Sequence, residues 1–359
     1  MSALTNRIAG TGLFALDVIV RLDGSTAKPA LGGSAGNVLS ILGALGWTAV
    51  PIGATGDDPA ARLLCETFDA LGADLSLFKR SRHRCTPIIY QHQLGADADS
   101  THRFSFACPV CGERRRPAWD DEQWLLDEHE ELPEASVFFL DRPTELGVAL
   151  ARHYANQGAL VVFEPSSLGD DRELFQRALC AAHIVKYADE RIDDLPYDAT
   201  MGPIVEIQTR GADGLRFRAP SLDGTWLTMG AYALPYVCDT SGAGDWCTAG
   251  FIYDLFRLGG ASKMTDYPTL VRALSFGQAL SSLNCLTEGA RGLLGVWSSQ
   301  KIVKSARELC GRRVQSLMTG RPHPERRVDE PRLAKLAGDS RLGRLSDTIQ
   351  DATVRCIEH

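Results

Sequence analysis

What this sequence lacks narrows it first. No apolar stretch reaches the roughly 18 residues that a membrane-crossing helix needs, so no membrane partner is expected. Asp17 interrupts the first apolar run, which therefore does not read as a secretory leader. Basic charge is not in excess: 38 Lys and Arg against 45 Asp and Glu give a net charge of -7. The short runs Arg114-Arg115-Arg116 and Arg326-Arg327 sit among acids or prolines, so a nucleic-acid binder with a broad basic face is excluded. Internal repeats and low-complexity tracts are absent. No Gly-x-x-x-x-Gly-Lys-Ser/Thr occurs, which excludes a P-loop. Ten cysteines in 359 residues fall short of a disulfide-stapled scaffold, and only Cys108 and Cys111 are spaced as a Cys-x-x-Cys. With 44% hydrophobic and 23% charged residues the chain reads as globular, and a cytoplasmic location is expected.

What is present alternates. Short β-branched runs (Val18–Arg21, Val50–Ala54, Pro87–Gln93, Val137–Leu140, Leu160–Phe163, Ile184–Val185, Ile204–Gln208 and Tyr236–Cys238) are separated by helical stretches. That rhythm predicts a mainly parallel sheet with helices on both faces. Val38, Ile41, Leu42 and Leu45 form one apolar stripe on a helix that Gly46 ends. Phe251, Leu255 and Leu258 do the same ahead of Gly259 and Gly260. Residues 80–118 break the rhythm. There a polar turn over Gly95–Ser100 leads into Arg103-Phe104-Ser105-Phe106, which alternates with period two. With residues 18–31 it predicts a small antiparallel β flap. Beyond about Arg312 the composition turns to Arg, Asp and Pro, so 1–310 is expected to be one domain and 311–359 a helical C-terminal extension.

Gly10-Thr11-Gly12-Leu13-Phe14-Ala15 imitates a dinucleotide fingerprint, but strand-like Val18-Ile19-Val20 follows where a helix is required. Three other glycine motifs carry more. Asp239-Thr240-Ser241-Gly242-Ala243-Gly244-Asp245 opens a helix, where small residues let an anion approach the N–H groups of the first turn. Asp245 would stand beside that anion hole as a base acting through position. The competing reading is an ordinary N-cap and tight turn. Gly32-Gly33-Ser34-Ala35-Gly36-Asn37 heads the first amphipathic helix, where Asn37 can both donate to and accept from a hydroxyl, or simply face solvent. Thr209-Arg210-Gly211-Ala212-Asp213-Gly214 follows a strand and fits either a nucleotide loop or a hairpin turn.

In combination these motifs resemble the ribokinase-like carbohydrate kinases, or PfkB family, over roughly residues 8–300. The resemblance rests on Gly32–Asn37 running on to Gly56-Asp57, on Thr209–Gly214, and on Asp239–Asp245 running on to Gly250-Phe251. It implies ATP-dependent phosphorylation of a sugar or nucleoside hydroxyl on an α/β fold with a small β lid, whose segments are about 18–31 and 80–118. Asp245 looks like the base, with Gly242, Ala243 and Gly244 as the anion hole. Asp17, Gly33 and Asn37 fall where the family holds sugar hydroxyls, and Thr209, Gly211, Gly214 and Asn284 fall along the ATP site. Mg2+ is the implied metal, with Glu190 in its region.

The family's Asn-x-x-Glu is replaced by Lys186-Tyr187-Ala188-Asp189-Glu190, similar to fructokinase-like members, which favours a hexose. Trp246 and Cys247 are expected to place bulk beside the base. Asp141-Arg142 reads either as an arginine for an anionic substituent or as a surface ion pair. Phe104, Phe106 and Trp119 keep a nucleoside kinase open, and a catalytically silent sugar-sensing protein is the reading from another class. Cys108-Pro109-Val110-Cys111-Gly112 is half of a zinc site, with His83, Cys85, His92 and His102 as further candidate ligands. Its alternatives are a thiol pair and unligated lid residues. A homodimer is the self-association to consider; the expected small-molecule partner is a sugar or nucleoside.

Overall fold

The computed structural model describes residues 6–94, 102–118, 132–195, 203–219, 222–318 and 328–329. The expected turn over Gly95–Ser100, Trp119 and most of the extension after Met318 lie outside them. The chain divides into two compact units at Pro133/Glu134.

In the first unit, β1 (Arg7–Thr11), β2 (Ala15–Val20) and β3 (Ala30–Gly32) precede α1 (Ser34–Ala44). Then come β4 (Thr48–Pro51), β5 (Gly53–Gly56), α2 (Pro59–Ala70), β6 (Phe78–Ser81), β7 (Ile88–Gln93) and β8 (His102–Ser105). β1 and β4 pair in parallel, as do β5 and β6. A four-stranded sheet has the order β3-β2-β7-β8. It is mixed: β2 runs parallel to β7, whereas the alternating pattern predicted an antiparallel flap. The connection between β2 and β7 contains α1 and α2, and a long crossover permits the parallel sense. Asp58 caps α2 by accepting from Ala61 N–H at 2.9 Å, and its carboxylate also takes the Thr86 hydroxyl at 2.7 Å.

The second unit begins with β9 (Val137–Leu140), α3 (Glu145–Asn156), β10 (Leu160–Phe163), α4 (Arg172–Ala181) and β11 (Ile184–Ala188). β12 (Val205–Thr209), β13 (Leu215–Arg218), β14 (Leu227–Met229) and β15 (Tyr232–Ala233) follow. The four strands β9 to β12 lie side by side in parallel. Every residue of β9 and β10 is buried, as parallel strands covered on both faces require. β13 and β14 extend the sheet in antiparallel sense. Tyr236–Cys238 is not a strand: Val237 is half exposed and Cys238 N–H bonds to the Cys285 carbonyl instead.

Helices α5 (Ala243–Arg257), α6 (Tyr267–Asn284), α7 (Gly292–Val296) and α8 (Ser299–Met318) complete the unit. α5 and α6 cross at a glycine contact: a Cβ on Gly277 would lie 2.4 Å from the Cys247 carbonyl oxygen, and one on Gly250 2.8 Å from Gly277 Cα. Ile302, Ala306 and Leu309 of α8 are buried, and the helix runs through position 311, so the composition shift there falls inside an element. β16 (Val328–Asp329) pairs with β15. Among the described residues no helix is long and apolar enough to cross a membrane.

Candidate active site

The carboxyl ends of β10, β11 and β12 and the amino end of α5 place one set of chemistry-bearing residues in the second unit. Gly242 starts α5 with φ 69°, and a Cβ there would lie 2.4 Å from the Ala290 carbonyl oxygen. Only glycine fits both constraints. Asp239 holds the preceding turn: Oδ1 accepts from Ser241 N–H at 2.9 Å and Oγ–H at 2.7 Å, and Oδ2 accepts from Gly289 N–H at 2.8 Å. Ala243 N–H donates to the Thr240 carbonyl at 3.2 Å, so of the predicted anion hole Gly242 and Gly244, not Ala243, present their N–H groups with the positive end of the helix dipole. Asp245 is the acidic residue of that turn and is 8% exposed.

Beside that turn stands an ion pair that sequence reasoning missed as such. Lys186, in β11 and 3% exposed, bonds to Glu164 Oε1 at 2.5 Å; Glu164 directly follows β10. The other carboxylate oxygen accepts from the Thr248 hydroxyl of α5 at 2.5 Å. A Cβ on Gly244 would lie 3.6 Å from both Glu164 Oε1 and Lys186 Nζ, so the glycine backbone rests against the pair. Burial works against the Lys186 ammonium, but the negative charges of Glu164 and Asp245 help to outweigh it and its pKa is raised. The available signal was a lysine within a buried strand and an acid ending another, since buried charges are seldom unpaired.

Asn284 is fully buried, and its amide donates to the carbonyls of Ser241 at 3.1 Å and Gly289 at 3.4 Å. It braces the α5 turn. Trp246 is fully buried as well, donating its indole N–H to the Ala290 carbonyl at 3.0 Å, and Cys247 is 3% exposed with its thiol pushed up to about 11 by burial. Both belong to the packed interior, so the bulk expected beside the base goes into the core.

Thr209 ends β12, paired with Leu215, and Gly211 and Gly214 lie in its connection to antiparallel β13, so the hairpin reading describes their backbone. Gly214 has φ 96°, and a Cβ on it would lie 2.2 Å from the Met229 carbonyl oxygen. Thr209 Oγ donates to the Tyr187 carbonyl at 3.3 Å, joining this hairpin to the end of β11, after which Asp189 and exposed Glu190 follow. Arg142 folds back on its neighbour, donating to the Asp141 carbonyl at 2.7 Å.

In the first unit Asp17 lies in β2 with its carboxylate against Gly32, where a Cβ would lie about 2 Å from it. Gly33 caps α1 at φ 77°, and a Cβ there would lie 2.2 Å from the Leu13 carbonyl oxygen. Asn37, in the first turns of α1, is 4% exposed, not solvent-facing.

Cys108 and Cys111 sit in a closed turn of this unit. Burial pushes the Cys108 thiol up, but hydrogen bonds from the backbone N–H groups of Cys111 and Val110 and from the Tyr90 hydroxyl outweigh it, lowering the pKa to about 7. Among the described residues no three His, Cys, Asp or Glu side chains group as a metal site. Among the described residues His83, Cys85, His92 and His102 therefore do not complete a zinc set with the pair.

A family model described as "pfkB family carbohydrate kinase" matches residues 17–294. The chain is 23% identical over 317 residues to the aminoimidazole riboside kinase of Salmonella typhimurium, covering 79% of this chain and 91% of that one. It is 27% identical over 270 residues to the ATP-dependent ribose-1-phosphate kinase of Halopiger xanaduensis, covering 72% and 82%. Among solved structures, the fructokinase of Xylella fastidiosa with bound ATP superposes with a TM-score of 0.66 at 18% identity, over 85% of this chain and 99% of that one.

Proposed function

This chain belongs to the pfkB family of carbohydrate kinases, and from that premise we propose that it transfers the γ-phosphoryl group of ATP to a hydroxyl of a hexose-type sugar. One observation carries the catalytic part: Asp245 stands in the first turn of α5, behind Gly242–Gly244 and beside a buried lysine. Phosphoryl transfer asks a protein chiefly for in-line positioning and charge neutralisation. Asp245 takes the proton of the attacking hydroxyl. The N–H groups of Gly242 and Gly244 receive the charge that develops on the transferred group, and Asn284 with Asp239 keeps their turn in place.

Asp17, Gly33 and Asn37 bind hydroxyls of the acceptor, and the sheet β3-β2-β7-β8 serves as its lid. Thr209, Gly211 and Gly214 line the nucleotide. The donor set fits a nucleotide phosphate, because it offers a helix amino end with glycines against which the backbone can close. No protein cage for a divalent ion is needed, since Mg2+ commonly binds through substrate phosphates with only one or two carboxylates. Glu190 and Asp189 are the carboxylates at that end of β11, and Mg2+ bound there would neutralise phosphate charge.

Lys186 with Asp189-Glu190 supports a fructose-like acceptor. A riboside is the second reading, favoured by an exposed aromatic pair on β8: His102 and Phe104 rings meet at 4.6 Å, and Phe104 is 47% exposed, so it could stack a base. Acceptor-dependent ADP release, measured with MgATP against fructose, ribose, ribose 1-phosphate and inosine, tests both. Fructose turning over best supports the hexose reading, and inosine doing so moves the assignment to the riboside. A protein that binds sugars but releases no ADP with any acceptor is a sensor, which contradicts the proposal.

A further inference from the structure

Three polar side chains from three elements meet behind the first turn of α5. Thr248 is fully buried and follows Asp245 by three residues, so the two share one side of the helix. Its hydroxyl donates to Glu164 Oε2 at 2.5 Å and lies 3.2 Å from the Gly244 carbonyl oxygen. Glu164 Oε1 takes the Lys186 ammonium at 2.5 Å. Glu164 is 13% exposed and Lys186 3%, so these contacts run where water competes little and each is strong.

An ion pair that merely fastened α5 to the sheet would serve anywhere along the helix. This one bears on the turn that carries the base. The Gly244 backbone rests against both charges, and the charge of Asp245 reaches the Lys186 ammonium. Two carboxylates therefore act on one buried cation, and their partners divide the work between them. Glu164 has one oxygen on the ammonium and the other on the Thr248 hydroxyl, which fixes it as the counter-ion. Without that hydroxyl Oε2 loses a donor in a largely dry site, and less holds the carboxylate against Lys186. The ammonium would then draw on Asp245, the other carboxylate whose charge it feels.

We propose that Thr248 is a positioning residue for phosphoryl transfer: through Glu164 it keeps the Lys186 ammonium on its own counter-ion and the Gly244 peptide in place, so that Asp245 stays directed at the acceptor hydroxyl. Thr248 keeps its own proton throughout and acts only through its neighbours. The proposal rests on the reading of Asp245 as the base.

The test is steady-state ADP formation by the full chain on the acceptor that turns over best. Thr248→Val replaces the hydroxyl with a methyl of similar shape, whereas Thr248→Ser keeps the hydroxyl and drops the methyl. Thr248→Val should lower kcat about 10- to 100-fold, as a displaced catalytic group does, and leave the KM values for ATP and acceptor within about twofold of wild type. Thr248→Ser should recover most of that loss. Thr248→Ala, which also lacks the hydroxyl, should match Thr248→Val and replaces it if circular dichroism shows the Val variant misfolded. The arm that separates positioning from packing is Asp245→Asn. Adding Thr248→Val to it should lower kcat no further, because residues that act as a unit are not additive. Wild-type kcat without the hydroxyl, a Thr248→Ser enzyme as slow as Thr248→Val, or losses that multiply in the double variant would each overturn the proposal and leave the base in place. An Asp245→Asn enzyme near the wild-type rate would instead remove the base, and this proposal with it.

Discussion

Lys186 concentrates the electrostatics of the second unit in a single side chain. Its ammonium is almost entirely removed from water, and the Glu164 carboxylate that meets it at 2.5 Å does most to keep it charged, with Asp245 adding to it. Lys186→Met should therefore strand a buried carboxylate and cost about 3–5 kcal/mol of stability, read by chemical denaturation. Lys186→Met combined with Glu164→Leu should recover most of that loss, since a well-packed apolar pair often replaces a buried ion pair without penalty. Turnover should stay depressed in the double variant, because the charge beside the α5 turn is gone. If activity returned along with stability, the pair would be scaffolding alone. At this scale the sequence was readable where chemistry follows local spacing. Gly242–Asp245 showed its helix start, but Trp246 did not show its direction, because a helix aims successive side chains about 100° apart and only packing says which face is core.

The crossing of α5 and α6 decides how firmly the candidate base is held. Gly250 and Gly277 let the two backbones touch, and the glycine in each helix exchanges a propensity cost for that approach. Gly277→Ala pushes a methyl to within 2.4 Å of the carbonyl oxygen of Cys247, two residues after Asp245. It should cost about 1–3 kcal/mol as overpacking, lower Tm, and reduce kcat more than the ATP affinity. Unchanged stability would mean that the helices separate freely there. The parallel strands β9 and β10 were fully legible, since a short continuous apolar run has few other homes. Tyr236–Cys238 misled for the same reason: its composition is strand-like, but among the described residues its backbone bonds only to the turn at Cys285. The sense of β2 against β7 was illegible, because alternation encodes a half-exposed face and not the direction of the neighbour.

Over the whole molecule, motif spacing carried more than composition did. Three glycine-rich stretches, each ambiguous alone, share one family pattern, and a family model spans residues 17–294. The zinc reading of Cys108 and Cys111 rests on spacing alone, and among the described residues no three ligand-type side chains group as a metal site. The central claim is that this molecule transfers phosphoryl groups with Asp245 as its base, and one comparison tests it most directly. Acceptor-dependent ADP formation is measured for wild type and Asp245→Asn on whichever acceptor the panel identifies, alongside ATP-analogue affinity by calorimetry. Asn keeps the shape and the capping ability of Asp but cannot take the proton. Turnover should fall by at least about 10²-fold with nucleotide affinity unchanged. An Asp245→Asn enzyme turning over near the wild-type rate would contradict the account.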